Sequence, residues 1–279
     1  MRIKSLRKAV ASLLIGLAAL SVTNCKKSEI DPADLAATCK LSEVDRGNGT
    51  RQQYEYNADG YVSKWTINFT ESAEKHTFVY LFGYNNRHQI TGAKITIDGK
   101  SPDEISKWSI GNKIECSWTN GKLTQVRDMV DEDVYFTTSL TYDASGRITR
   151  LLCEPADRSQ TSFEKTYTYD ADENFKYYYL DDGVKLDYDD ITVDKTSQSA
   201  ESLLANRGLP FDFFNLIPWR TYNLKKYDSY YFDKTGKPVL ARSYQITNLV
   251  KNKHNIVTSQ TVEEGGNKRV NTFSLMDCD

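Results

Sequence analysis

From residue 40 onward the chain alternates apolar and polar positions with a period of two. The clearest case is Val134, Phe136, Thr138, Leu140 and Tyr142, interleaved with Tyr135, Thr137, Ser139 and Thr141. That period puts alternate side chains on opposite faces of a strand. Asp143 can hydrogen-bond the backbone ahead of it and Gly146 can take a positive φ, the chemistry of a short hairpin loop. Arg147 to Cys153 then reads as the returning strand. Degenerate copies follow the same order of aromatic, turn and apolar return: Tyr56-Asn57-Ala58-Asp59-Gly60, Trp118-Thr119-Asn120-Gly121 and Phe232-Asp233-Lys234-Thr235-Gly236, with weaker versions from Tyr84 and Tyr169. Their intervals are uneven, which excludes a strict solenoid. In each copy the aromatic sits at a strand end, where it can pack onto a partner strand.

One segment breaks the rhythm. Ser197 to Gly208 holds helix formers, with Ser197 or Ser199 as candidate N-caps and Gly208 suited to the left-handed position after a helix. Leu209, Phe211, Phe213, Phe214, Leu216, Ile217 and Trp219 follow, the most apolar stretch beyond the leader. A single-layer sheet must cover one face. A helix and apolar loop over about 197–219 is therefore expected to plug the sheet, with Phe211, Phe213, Phe214 and Trp219 as its core or as the wall of an apolar ligand pocket.

The N-terminus follows a different pattern. Arg2, Lys4, Arg7 and Lys8 precede an apolar run from Ala9 to Val22, which is 14 residues long. A spanning helix needs roughly 20, whereas a basic stretch before a run of ~7–15 apolar residues is a secretory signal. Cys25 ends it. Val22-Thr23-Asn24-Cys25 resembles a bacterial lipobox, most closely the relaxed form in Bacteroidota lipoproteins, with Asn24 where a small residue is usual. The resemblance implies lipidation of Cys25. Residues 1–24 are then signal peptide, 25–38 lipid anchor and tether, and 39–279 one β-rich domain. No aspartate follows the cysteine, which by analogy points to the outer membrane and leaves both its faces open.

Loss of the leader removes four basic residues and no acidic one, taking the formal charge from −2 to −6. That balance offers no footprint for nucleic acid. With Cys25 consumed, Cys39, Cys116, Cys153 and Cys278 remain as disulfide candidates with three pairings open. The 18 tyrosines favour half-buried pleated surfaces.

Tyr142-Asp143-Ala144-Ser145-Gly146-Arg147-Ile148-Thr149 resembles the YD (RHS-type) repeat. Residues 40–279 as a whole resemble uncharacterised Bacteroidota outer-membrane lipoproteins with degenerate YD hairpins. The resemblance implies a mainly β fold, a large curved antiparallel meander sheet without a catalytic centre. Large YD-repeat proteins enclose toxin domains, and this chain is short for such a shell.

Candidate chemistry is sparse. His76, His88 and His254 are scattered without zinc-hydrolase spacing. Asp170, Asp172 and Asn174 begin like a calcium loop, but Phe175 stands where that loop needs glycine. The acidic stretch Asp181, Asp182, Asp187, Asp189 and Asp190 reads as a solvated, charged sheet edge. No metal or cofactor is expected. The leading expectation is a non-catalytic envelope lipoprotein that binds a glycan or an envelope protein and meets the membrane through its lipid. A lipid-carrier-like half-barrel is the alternative, and a carboxylate-based glycan enzyme the least supported.

Overall fold

The computed structural model describes residues 39–102, 110–157, 159–213 and 217–278. Their strands are β1 (Lys40–Asp45), β2 (Arg51–Tyr56), β3 (Val62–Glu71), β4 (Glu74–Tyr84), β5 (Ile90–Ile97) and β6 (Lys113–Thr119). Then come β7 (Lys122–Val130), β8 (Asp133–Tyr142), β9 (Ile148–Pro155), β10 (Phe163–Tyr169), β11 (Phe175–Asp181) and β12 (Val184–Gln198). A single helical turn, α1 (Ser202–Ala205), and a two-stranded sheet, β13 (Phe211–Asp212) with β14 (Ile217–Pro218), interrupt the series. It resumes with β15 (Tyr222–Phe232), β16 (Pro238–Lys251), β17 (Val257–Glu264) and β18 (Asn267–Met276).

The fold is mainly β, and the curved meander closes on itself. All strands but β13 and β14 form one antiparallel barrel, in which β1 pairs with both β2 and β18. Because neighbours are antiparallel, successive connections alternate between two rims. The near rim carries the β2–β3, β4–β5, β6–β7, β8–β9, β10–β11 and β16–β17 turns, the points where the 199–221 segment leaves β12 and joins β15, and the β18–β1 seam. The far rim carries the others, including the turn after Phe232. Five of the six sequence copies thus share the near rim, and the Phe232 copy lies on the opposite one.

The motif explains itself residue by residue at Tyr142–Thr149. The Asp143 carboxylate accepts the Arg147 backbone N–H at 2.9 Å, and Gly146 takes φ 83°. Asn57, Asn85, Asp170, Asp233 and Asn252 close the same five-residue turn through their own side chains. The Trp118 copy differs: Asn120 and Gly121, at φ 50° and 76°, close a two-residue turn of the type that matches strand twist. After the turn, Ile148 pairs with Tyr142, and Thr149 is an extra residue that shifts the register. Its hydroxyl donates across to the Thr141 carbonyl at 3.3 Å. Ser63, Thr91 and Thr124 occupy the equivalent bulges.

A bulge leaves ladder groups unpaired, and the next aromatic takes up the carbonyl beside it. Tyr56 donates to Leu41, Tyr84 to Val62, Trp118 to Ile90, Tyr142 to Leu123 and Tyr169 to Ile148, all at 2.6–2.8 Å. The motif cation completes the joint. Lys40, Lys122 and Arg147 lie over the rings of Tyr56, Tyr142 and Tyr169 at 5.5, 5.2 and 4.5 Å. Each aromatic therefore fastens its own hairpin to the preceding one. Ser42 is a bulge of the same kind at the β18–β1 seam, where the Cys39–Cys278 disulfide stands in place of a turn, with Cα atoms 4.3 Å apart.

The interior is packed by side chains of the barrel strands together with the described residues of the 199–221 segment. Trp65, Phe78, Tyr80, Leu203, Leu204, Leu209 and Phe211 are all almost fully buried. The outer face is polar and laced with cross-strand ion pairs: Glu55–Lys64, Glu115–Arg127, Arg150–Glu164 and Lys176–Asp190, at 2.6–3.1 Å.

Candidate functional site: a plugged barrel with two cavities

The plug descends from the near rim between β12 and β15. Its helix is shorter than the 197–208 expectation, and its N-cap is Glu201 without a side-chain cap bond. Ser197 instead bonds the Asp194 carboxylate at 2.7 Å, so neither predicted serine caps it. Gly208 does take the left-handed conformation, φ 83°. The segment does not lie over an open face; it fills the lumen. Phe211 and Phe213 pack against each other with centroids 4.4 Å apart, and Phe213 reaches Phe82 of the wall at 6.0 Å. Trp219 donates to the Leu209 carbonyl at 2.9 Å and meets Trp65 edge-on. Phe214 lies outside the described residues, as does Cys25.

The plug separates two cavities. The near one, about 450 Å³, is lined by Trp118, Tyr142 and Tyr169 of the wall and by Pro210, Trp219 and Tyr222 of the plug side. Of the aromatics expected to line a pocket, Trp219 does so. The far one, about 630 Å³, reaches the β1–β2 turn at Arg46, Asn48 and Thr50. Its wall gathers polar side chains among apolar ones such as Ile67, Leu224 and Val262. Gln52, Asn223, Gln260 and Asn271 are each about 95% buried there, and Asn223 donates to Gln260 at 2.9 Å. Tyr227, Tyr244 and Phe69 supply aromatic surface.

The electrostatics of the far cavity are asymmetric. Glu201 of the plug forms an ion pair with Arg46, and Arg220 lines the same space. Burial pulls Arg46 down, but Glu201, Tyr54 and Asp212 hold it above its ordinary value. Arg220 is held below its own by burial, which Glu201 opposes and Arg46 reinforces. At the mouth, Arg242 and Arg269 share Glu264 at 3.2 and 3.6 Å and both lie over the Tyr244 ring. Four guanidinium groups thus face Glu201 and Glu264, with buried Asp212 also close enough to act on Arg46.

None of these polar residues was singled out in the sequence. The available signal was parity: Gln52 alternates in phase with Tyr54, and Asn271 with Phe273, so each points inward. The acidic stretch divides by the same rule. Asp189 is buried facing inward, while Asp190 pairs with Lys176 outside, so that stretch is not simply a solvated edge. Cys116 and Cys153 are free thiols. They share a cross-strand row through Val126 and Thr138, three strand spacings or ~14 Å apart, beyond the ~7 Å reach of a bridge. Among the described residues, no group of three or more His, Cys, Asp or Glu is placed to hold a metal ion, and no helix is long and apolar enough to cross a membrane.

Fold and cavities together define a plugged sixteen-stranded antiparallel barrel. The fold is similar to that of a porin-like protein from Bacteroides uniformis ATCC 8492, with TM-score 0.51 and 13% identity over 86% of this chain and 97% of that one. The TcdB2-TccC3 complex is more distant, with TM-score 0.28 and 9% identity over 76% of this chain and 13% of that one. The Tc holotoxin pore of Photorhabdus luminescens matches at TM-score 0.19 and 12% identity, over 77% of this chain and 17% of that one. No family model and no curated protein matches the chain.

Proposed function

We propose that this chain is a cell-envelope lipoprotein, lipidated at Cys25, whose plugged barrel is a non-catalytic binding scaffold. It would belong with the Bacteroidota outer-membrane lipoproteins that carry degenerate YD hairpins, and would meet the membrane through its lipid. The observation that carries the binding reading is the far cavity: buried amides, aromatics and guanidinium groups converge on one open space. A cavity of about 630 Å³ falls in the ~300–1,000 Å³ range of small-molecule sites.

The outer face supports a lipid anchor over insertion of the barrel itself. A membrane barrel turns an apolar band ~25 Å tall outward and keeps its polar side chains inside. Here the ion pairs are outside and Trp65, Phe78 and Tyr80 inside. The carrier reading draws support from Trp219 in the near cavity. Burial of Leu209, Phe211 and Phe213 makes most of the expected apolar wall core instead.

The test is metabolic labelling with an alkyne fatty acid in a Bacteroidota host, comparing the full chain with Cys25→Ser. Labelled protein in the membrane fraction is expected for the former. Label retained by the variant, or absent from both, would refute the anchor.

A further inference from the structure

Resting on the binding reading above, we infer that the far cavity is a site for an acidic carbohydrate, a uronic-acid-type oligosaccharide whose carboxylate is received by Arg220. Three features select that chemistry.

The first is charge. Arg220 lines the cavity beside an already paired Arg46 and Glu201, and its buried Nε has no hydrogen-bond partner. Removing a cation from water is costly unless something pairs with it. Glu201 is the one carboxylate near both arginines and is engaged by Arg46. A bound carboxylate would give Arg220 the fork geometry that guanidinium groups favour.

The second is the amide lining. Gln52, Asn223, Gln260 and Asn271 are buried yet front open space. An amide offers both donors and an acceptor, the complement of a sugar hydroxyl. The Asn271 Oδ1 is buried with no partner, leaving an acceptor for such a hydroxyl. A purely ionic ligand such as sulfate would bring no donor to it.

The third is the aromatic wall. Tyr227 and Tyr244 pack against one another at a tilt with centroids 5.1 Å apart, and both line the cavity. Such a surface suits the apolar C–H face of a pyranose. Arg242 and Arg269 over Tyr244 put positive charge at the mouth, where it would draw an anion inward.

The experiment is calorimetric titration of the full-length processed lipoprotein in a non-glycosidic detergent. The probes are trigalacturonate, its neutral methyl ester and inorganic sulfate. Trigalacturonate is expected to bind at least about tenfold more tightly than either of the others, the margin of one charge-assisted bidentate contact. Arg220→Met should abolish that preference while the melting temperature holds or rises, because an incompletely paired buried charge is replaced by an apolar side chain. Arg269→Met, at the mouth, should weaken trigalacturonate binding in the same titration.

Equal affinity for acid and ester would overturn the carboxylate contact. Sulfate binding as tightly as trigalacturonate would overturn the carbohydrate assignment. Arg220→Met that melts lower and binds unchanged would make Arg220 structural, and absence of any binding would remove the site. Labelling at Cys25 is read separately, so failure here and failure of the anchor are distinguishable.

Discussion

The seam between β1 and β18 is where the barrel closes, and its covalent bridge sets a measurable stability. Cys39 and Cys278 are 239 residues apart in sequence. Bridging them constrains nearly the whole described chain in the unfolded state. The loop-entropy relation gives about 5 kcal/mol at 25 °C for a loop of that length. That is comparable to the entire stability of many domains. The noncovalent seam, with five register pairs and a bulge at Ser42, should persist without the bridge. The fold should therefore form in the Cys39→Ser/Cys278→Ser double variant but with a shallower stability. Urea unfolding of the oxidised protein, the same protein reduced, and the double variant provides the measurement. The last two should coincide, both displaced from the first by about 5 kcal/mol, and amides of β1 should exchange fastest among the strands. Cys116→Ser serves as a control, since that thiol is free, and should leave the effect of reductant intact. Coincident unfolding of all three samples would refute the reasoning, because the unfolded chain would then lose no freedom to the bridge.

Three further outcomes test the interior. Tyr142→Phe deletes the bond to the Leu123 carbonyl while keeping the ring, and should cost about 1 kcal/mol in urea unfolding; no change would mean that water replaces the hydroxyl without loss. Phe211→Ala empties a fully buried position at the centre of the plug and should cost about 3–5 kcal/mol, read by thermal unfolding. Burial raises Asp128 to about 7, against hydrogen bonds from Gly111 and Met129 that oppose the shift. The folded state therefore holds this proton more tightly than the unfolded state, whose value is about 4. Stability from this group is present at low pH and is lost as pH rises from about 4 to about 7, by at most about 4 kcal/mol. Asp128→Asn should flatten that slope; an unchanged slope would refute the assignment.

The hairpins were legible because each is local. Tyr142 to Thr149 holds its own turn acceptor, its positive-φ residue and its bulge within eight positions. The Asn252 turn lacks that sequence signature because Lys251 replaces the aromatic and Asn255, at φ 67°, replaces the glycine. Closure was not legible, since pairing of Lys40 with Met276 joins residues with no local signal beyond two cysteines at the domain's ends. The plug was visible as an apolar run, but apolarity alone does not distinguish a cover from a filling. The far cavity was hidden for a related reason. Gln52, Asn223, Gln260 and Asn271 come from four strands dispersed over the chain, each an ordinary polar residue until the barrel turns it inward. Arg220 sits outside regular structure, where no periodicity applies.

An even number of barrel strands returns the chain to the rim it left. The seam at Cys39 and Cys278 and the entry of the plug are consequently both on the near rim, and the mouth at Arg242 and Arg269 is on the other. A lipid on Cys25, 14 residues before Cys39, could stand no more than ~50 Å from that rim. The attachment would then be at one end of the barrel and the mouth at Arg242 and Arg269 at the other. Far-rim loops could change length or charge without disturbing either the attachment or the closure, so ligand choice and membrane address would be free to evolve separately.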